Sequence, residues 1–486
     1  IVKFASPVMV KTSASGVTKP FGMLAKQDSL PPLPVPALQQ TMEKYLSAIK
    51  PLVDEEEFEY TQDLVKDFLK PNGDGEHLQN KLIQKAKTET NWVSINATLS
   101  SLRCGVSFTD KMDHLKYAAR VISTVLKFKE LIDNEAIPVE MMGKNPLCMI
   151  QYLKLLGSCR IPQPVRDHVV VAPKGMSKHV IVAYKKEPPP HSTQSPSVME
   201  RPTWSVTARQ CLHGDGTQYN SANRWFDKII QVCISEDGHS GICYEHSAAE
   251  GPPVAALCNY ILENLGNHQE IAPSVVQHLE TPAKLKWNLT NKLKEAIQQS
   301  ASELDRIHNH NPPTYETGST RKFLLGRTDT IRSASIASSN FVKAMVSPNK
   351  TNAEKLDLMK KAIKAHTHYT QEAVNGQAID RHLLGLKLAA LESRMNLPEL
   401  FMDSSYQYAL HYKLSTSQVP SNHELFLSFG PAVPDGYGVC YNPQKNKIIL
   451  GVSTVNSNPE TNPGHFAAYL QRSLDEMQLL AKTSKL

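Results

Sequence analysis

Stretches with apolar residues three and four positions apart alternate along this chain with short runs rich in β-branched residues. Helical spacing covers about 38–69 with a break near Pro51, and also 111–133, 353–373 and 379–395. Near the end, one helical face carries Phe466, Leu470, Leu474 and Met477. Strand-like runs lie at 179–184, 229–235, 241–244, 407–414, 425–429 and 447–455. Long helices interspersed with strands predict an α/β protein in which helices cover sheets.

Three breaks punctuate this pattern. Asp237-Gly238 stands between two strand-like runs and predicts a β-hairpin. The segment 187–202 is rich in Pro and Ser and has no apolar period, which is typical of a linker. The third break, at 308–313, ends in two prolines, which interrupt regular secondary structure. The chain shows no internal repeat.

Composition narrows the class of protein. A length of 486 residues allows two or three domains, and 41% hydrophobic with 21% charged residues is the balance of a soluble globular protein. No apolar run reaches spanning length. The net charge of +6 is modest and lacks the Lys/Arg blocks of a nucleic-acid binder. Eight scattered cysteines without a C-x-x-C pair predict reduced thiols.

The two ends of the chain resemble targeting signals. The segment 1–29 has several Lys, Ser and Thr residues and no acid before Asp28, which favours an organellar presequence. The last three residues, 484–486, match the tripeptide read by the peroxisomal import receptor. We therefore expect the protein in peroxisomes, in mitochondria or in both.

The sharpest candidate for chemistry is the pair His246 and Glu250. If the backbone turns helically after Tyr244, a spacing of four places both side chains on one side. A neutral imidazole can then take a hydroxyl proton while the carboxylate fixes its tautomer. The same spacing is common in structural pairs on helix surfaces, with the Glu exposed. Spacing alone leaves both interpretations open.

Two other motifs are weaker. Gly238-His239-Ser240-Gly241 begins like a nucleophile elbow, but Ile242 stands where the last glycine is needed. The His-x-His pairs at 308–310 and 366–368 lack further ligands at useful spacing, so we expect no metal site.

Several blocks of sequence resemble the carnitine/choline acyltransferase family. YEHSAAEGPP at 244–253 is similar to the family's active-site block, with matching residues before it at 212–216, 220–228 and 236–238. Further signatures follow in the family order: GRTDTIRS at 326–333, DRHLLG at 380–385, LSTSQ at 414–418 and PDGYGVCY at 434–441. The order and number of these blocks make a chance match negligible.

The resemblance implies a fold of two α/β halves like chloramphenicol acetyltransferase, with mixed sheets flanked by helices and the catalytic His in a tunnel between them. It divides the chain into a helical lead-in at 30–92 that packs with the C-terminal half, a catalytic half at 93–289 that carries the His, and a second half at 290–483.

The resemblance also assigns roles to residues. His246 becomes the general base, Glu250 its partner and Ser417 the hydrogen-bond donor to the tetrahedral oxyanion. Residues implied to bind carnitine are Arg381, Tyr315, Thr317, Thr328, Ser415 and Phe429. Gln418 would contact coenzyme A, and the bulk of Leu427 would close the acyl pocket to long chains. Each role has a plainer alternative: a surface salt bridge for Arg381, a polar loop for Ser417, and core packing for Phe429 and Leu427.

The implied reaction is reversible transfer of a short acyl group, acetyl first, between coenzyme A and carnitine. Carnitine's hydroxyl would attack the thioester directly, with acyl-CoA as co-substrate and no permanently bound cofactor. Transfer to choline is the alternative within the family. Material that the family has is absent around 92–107, after Tyr184 and between Asp305 and Tyr315, where phosphate-binding lysines are implied. An inactive, truncated relative that only binds a partner is therefore a further alternative.

Overall fold

The computed structural model describes most of the chain: residues 22–90, 92, 103–109, 114–161, 163, 168–173, 211–212, 225–234, 239–265, 313–419, 421, 423–455, 458 and 461–483. The N-terminal segment before Gly22, the predicted strand at 179–184, the predicted linker at 187–202 and the C-terminal tripeptide at 484–486 lie outside these residues.

Helices take up much of the described chain. They are α1 (Leu38–Ile49), α2 (Glu55–Phe68), α3 (Asp74–Thr88), α4 (His114–Asp133), α5 (Ile150–Leu155), α6 (Gly251–Leu265), α7 (Ile336–Val346), α8 (Asn352–Val374), α9 (Asp380–Glu392), α10 (Ser404–Ala409) and α11 (Pro463–Thr483). Their starts follow local chemistry: the Asp54 side chain accepts a hydrogen bond from the Glu57 amide at 2.9 Å, and Thr351 and Glu354 form a capping box at α8.

The strands fall into two main sheets and two short ribbons. They are β1 (Arg103–Thr109), β2 (Met141–Met142), β3 (Asn145–Pro146), β4 (Ser158–Ile161), β5 (His168–Val171), β6 (Ile230–Ile234), β7 (His239–Glu245), β8 (Thr314–Ser319), β9 (Thr328–Ile331), β10 (Leu414–Gln418), β11 (Phe426–Phe429), β12 (Tyr437–Pro443) and β13 (Ile448–Ser453). The predicted α/β class with mixed sheets flanked by helices is confirmed.

The first sheet has the order β11-β1-β7-β6 and is antiparallel throughout. Its edge strand β11 comes from the C-terminal part of the chain and pairs with β1, Phe429 opposite Cys104. The second sheet has the order β13-β12-β10-β8-β9, in which β10 runs parallel to both neighbours. Segments far apart in sequence thus share a sheet, which ties the two parts of the chain together.

Two large apolar cores hold these layers. One packs α4, α5 and α6 against β7 and includes Leu427 and Phe429 from β11. The other joins α1, α2, α3 and Trp92 to α9 and α10. Trp92 lies so close to α9 that a Cβ on Gly385 would stand 2.7 Å from its ring, so glycine is needed there. The boundaries of the predicted halves remain a prediction.

Most predicted elements are present, and one is wrong. The helical stretch 38–69 is divided at Pro51 into α1 and α2 as expected, and the half-buried residues of α11 include the four predicted to share a face. The strand predicted at 407–414 is instead the end of α10 and a turn, with strand β10 starting only at Leu414. Asp403 caps α10, because its side chain accepts a hydrogen bond from the Ser405 amide. Tyr406 and Ala409, three positions apart, are both buried on one face of this helix. Strands β6 and β7 pair antiparallel as the hairpin signal predicts, although the turn residues lie outside the described chain.

Candidate active site

His246 lies just past the end of β7, on the short connection to α6. The backbone after Tyr244 stays in the strand through Glu245 and then makes a turn, so the helical path assumed from the sequence is wrong. The turn nevertheless brings His246 Nε2 to 3.3 Å from Glu250 Oε2. Glu250 is 3% exposed, which excludes the exposed surface pair that the spacing also allowed.

Arg327, the residue before β9, fixes this turn through three hydrogen bonds. Its Nε donates to Glu250 Oε1 at 2.5 Å, its Nη1 to the Ser247 carbonyl at 2.5 Å and its Nη2 to the His246 carbonyl at 2.7 Å. From α5, Gln151 Oε1 accepts from the Glu250 amide at 2.8 Å. Sequence reasoning assigned no role to Arg327, and its only signal was its place within the 326–333 block.

These contacts set the charge state of Glu250. Burial alone would raise its pKa, but His246 when protonated, together with Arg327 and Arg381, outweighs burial, so the pKa is lowered. An ionised Glu250 can only accept a hydrogen bond, and the proton of a neutral His246 is therefore favoured on Nε2. Arg327 Nη2, which can only donate, lies 3.4 Å from His246 Nδ1. The lone pair of the imidazole is thus left on Nδ1, the nitrogen able to take a proton.

A second polar cluster lies next to the first. Arg381, in the first turn of α9, donates from Nε to the Thr328 carbonyl at 2.7 Å and from Nη2 to Thr328 Oγ1 at 3.3 Å. Thr317 Oγ1 donates to Tyr315 Oη at 3.4 Å, and burial raises the pKa of Tyr315. Arg327 belongs to the first cluster and Thr328 to the second, so two consecutive residues at the start of β9 join the clusters.

The guanidinium of Arg381 is not used in a surface salt bridge. Within the described residues it forms no ion pair, although the chain's Asp380 is its direct neighbour. Asp329 lies close by and accepts from the Arg381 backbone amide at 3.3 Å. Burial, with a smaller effect of the neighbouring Asp380, raises the pKa of Asp329 to about 7 against the opposing charge of Arg381. Arg381 therefore retains N–H groups for another partner.

Strand β10 carries the three remaining polar residues predicted for the site. Ser415 is opposite Tyr315 in the parallel register with β8. Because side chains alternate along a strand, Ser415 and Ser417 share one face, while Thr416 on the other face donates to the Tyr315 carbonyl at 3.0 Å. Ser415 is buried, Ser417 half-buried and Gln418 exposed.

The two apolar residues predicted for the site lie on β11. Leu427 and Phe429 are buried on the same face of the strand and belong to the core around α4, α5 and α6. Their packing fits a pocket wall and a core position equally. Strand β10 reaches the same region, since Val419 lies near Gly251 at the start of α6.

Comparison with known proteins decides the family. A family model described as "Choline/Carnitine o-acyltransferase" matches residues 33–188, 191–309 and 304–472. The chain belongs to the choline/carnitine O-acyltransferase family. It is 36% identical to the carnitine O-acetyltransferase of Columba livia, over 94% of each chain, and 35% identical to that of Homo sapiens, over 99% of each. It is also 32% identical to the choline O-acetyltransferase of Danio rerio, over 93% of each chain.

Two further observations concern the described part of this family member. Across the described ranges, no three His, Cys, Asp or Glu side chains are grouped in a way that could hold a metal ion. No helix in the described part of the chain is both long and apolar enough to cross a membrane.

Proposed function

We propose that this acyltransferase moves an acetyl group reversibly between coenzyme A and carnitine. The observation that carries the proposal is the adjacency of two clusters through Arg327 and Thr328. One cluster holds a base next to a buried carboxylate, and the other offers an arginine without an ion-pair partner among the described residues. Carnitine has both the hydroxyl that the first cluster would deprotonate and the carboxylate that the second would bind.

In the proposed reaction, the carnitine hydroxyl attacks the thioester carbonyl while His246 Nδ1 takes its proton. The C–O bond forms, and the negative charge on the carbonyl oxygen is stabilised by the hydroxyl of Ser417, a contribution of roughly 10²-fold to 10³-fold for one such donor. Collapse of the tetrahedral intermediate breaks the C–S bond, and the imidazolium returns its proton to the departing thiolate. Glu250 stabilises the imidazolium between these steps. No acyl-enzyme is formed.

Substrate choice in this proposal rests on Arg381. Its fork suits a carboxylate, with Tyr315, Thr317, Thr328 and Ser415 supplying hydroxyl groups around it. Phe429 is assigned to the wall around the trimethylammonium group. Choline lacks the carboxylate and would leave the half-buried Arg381 without a counterion, which is why we favour carnitine.

Two further residues are assigned to the acyl group and to coenzyme A. We assign Leu427 to the wall that restricts the acyl group to acetyl or propionyl, and Gln418, exposed at the end of β10, to coenzyme A. The family's phosphate-binding segment, absent between Asp305 and Tyr315, predicts weakened binding of the nucleotide end. An inactive form that only binds remains the second candidate.

An acyl-exchange assay tests the proposal. We expect purified protein to transfer acetyl from acetyl-CoA to carnitine faster than to choline. We expect His246→Ala to lower turnover by at least roughly 10²-fold with an unchanged melting temperature. Faster transfer to choline would favour the choline alternative. A folded wild-type protein without transfer to either alcohol would favour the binding protein.

For localisation we propose peroxisomes, mitochondria or both, from the two terminal segments alone. A fluorescent fusion ending in Ser484-Lys485-Leu486 should enter peroxisomes and lose that location when the tripeptide is removed. Mitochondrial location of both fusions would make the N-terminal segment dominant.

A further inference from the structure

Behind the Arg381 cluster lies a second, fully engaged ion pair. Arg332, at the end of β9, donates from Nε to Asp380 Oδ2 at 3.0 Å and from Nη2 to Asp380 Oδ1 at 2.7 Å. Its Nη1 donates to the Ala409 carbonyl at 2.9 Å. Arg332 is 7% exposed, so the pair is almost completely removed from water.

Tyr412 links this pair to the pocket. Its hydroxyl donates to Asp380 Oδ1 at 2.8 Å, and Arg332 Nη2 lies 3.1 Å from the same hydroxyl. On its other side, the Tyr412 ring lies 5.5 Å from the ring of Tyr315, centre to centre. The ion pair is therefore packed directly behind a residue of the proposed carnitine pocket.

The sum of charges in this region depends on Arg332. Two carboxylates, Asp380 and Asp329, lie beside Arg381, one as its neighbour in the chain and one bound to its backbone amide. Asp380 is neutralised by Arg332. Without that arginine, Asp380 would be an uncompensated negative charge next to Arg381 in the chain and would oppose the binding of a further carboxylate.

We propose that Arg332 is a positioning residue for substrate specificity, which holds Asp380 and thereby leaves Arg381 free for a carboxylate-bearing acyl acceptor. The inference rests on the proposed function and deepens it. Arg332 does not touch substrate. It selects carnitine over alcohols that lack a carboxylate, such as choline, through the field at Arg381.

The magnitude follows from simple electrostatics. One uncompensated elementary charge about 10 Å from the bound carboxylate, at an effective dielectric constant of about 20, changes a binding constant roughly ten- to twenty-fold. Arg332→Gln should therefore raise KM for carnitine about tenfold or more. The inhibition constant of choline against carnitine should stay the same or fall, because choline's cation is attracted by the added negative charge. KM for acetyl-CoA should change less than about twofold.

A second substitution separates charge from packing. Arg332→Gln combined with Asp380→Asn removes both charges, and KM for carnitine should return to within about threefold of wild type. Asp380→Asn alone leaves Arg332 charged, so KM for carnitine should stay equal or fall. Arg332→Lys keeps the charge without the two-pronged contact and should lie between wild type and Arg332→Gln. Arg160→Gln breaks a more exposed ion pair, with Asp227, away from the pocket and serves as the control for loss of an arginine.

The outcomes are distinguishable. A wild-type protein that neither binds nor acetylates carnitine overturns the proposed function and this inference together. Equal loss for carnitine, choline and acetyl-CoA in Arg332→Gln, without recovery in the double variant, makes Arg332 a structural residue and overturns the inference alone. If Arg332→Gln does not fold, Asp380→Asn and the double variant decide, since a raised KM for carnitine in both would refute the charge argument.

Discussion

His382, the residue after Arg381, gives the structure's clearest prediction for stability against pH. It is fully buried where α9 meets α1 and α3, and its Nε2 lies 2.7 Å from Gln79 Oε1. The Gln79 amide is oriented by its Nε2, which donates to the Pro36 carbonyl at 2.9 Å, so Oε1 faces the imidazole. Nε2 of His382 therefore carries the proton, and Nδ1 accepts from Thr41 Oγ1 at 2.7 Å. Both ring nitrogens are satisfied in the neutral form, so nothing in these contacts requires the charged one.

Burial lowers the pKa of His382 from its ordinary 6.5 to about 4. Because the folded pKa lies below the unfolded one, the unfolded chain takes up the proton first as pH falls. Stability is complete above pH 6.5 and is lost progressively towards pH 4. The full shift corresponds to about 3 kcal/mol, and about 2 kcal/mol of that is lost by pH 5.

Urea unfolding of the wild type and of His382→Gln at pH 7.5 and pH 5 isolates this contribution. Other groups that titrate in this range cancel in the difference between the two proteins, since the variant removes only one of them. The wild type should lose about 2 kcal/mol more than the variant between the two pH values. An equal loss in both proteins would show that His382 does not titrate as its burial requires, and the tautomer argument would then fail.

Two further predictions concern charges around the proposed pocket. Burial holds the pKa of Asp329 at about 7, above its ordinary 3.8, so ionisation of this carboxyl lowers the stability of the fold as pH rises. Asp329→Asn should therefore stabilise the fold by up to about 4 kcal/mol at pH 8 and by little at pH 4, as measured by urea unfolding. A stabilisation independent of pH would contradict this. Arg381→Asn should raise KM for carnitine roughly 100-fold and leave KM for acetyl-CoA unchanged in steady-state assays; equal effects on both substrates would assign Arg381 to structure.

Local patterns in the sequence predicted the helices better than the strands. The stretch 353–373 matches α8 to within a residue at each end, because its periodicity is long and Thr351 and Glu354 cap it. Strand β1 was not predicted, since its place between β7 and β11 depends on partners more than 100 residues away. At 407–414 aromatic residues favoured a strand, but packing against the second core selected a helical turn.

In the candidate site, too, some residues could be predicted from local sequence and others only from the fold. His246, Glu250 and Arg381 lie in blocks that resemblance identifies, and the structure places them in neighbouring clusters. Arg327 and Arg332 were missed, because an arginine's partners are carbonyls and carboxylates that only the fold brings near. Arg327 reaches back about 80 residues to the His246 turn, and Arg332 reaches about 50 residues forward to Asp380. No spacing rule connects such pairs.

The buried charges themselves argue that this region is built for ligand binding rather than for stability. Moving an ion pair out of water costs several kcal/mol per ion, and a well-packed apolar pair of similar volume would often be as stable or more so. Here the pairs Glu250–Arg327 and Asp380–Arg332 are both largely shielded from water. The carboxylate of the first contacts His246, and that of the second belongs to the residue before Arg381. An apolar replacement would keep the packing but would remove the fields at the imidazole and at the guanidinium. In both pairs an arginine neutralises a carboxylate beside a functional side chain. Glu250 stays ionised and accepts from His246 Nε2, which leaves the imidazole lone pair on Nδ1, and Asp380 adds no uncompensated negative charge next to Arg381.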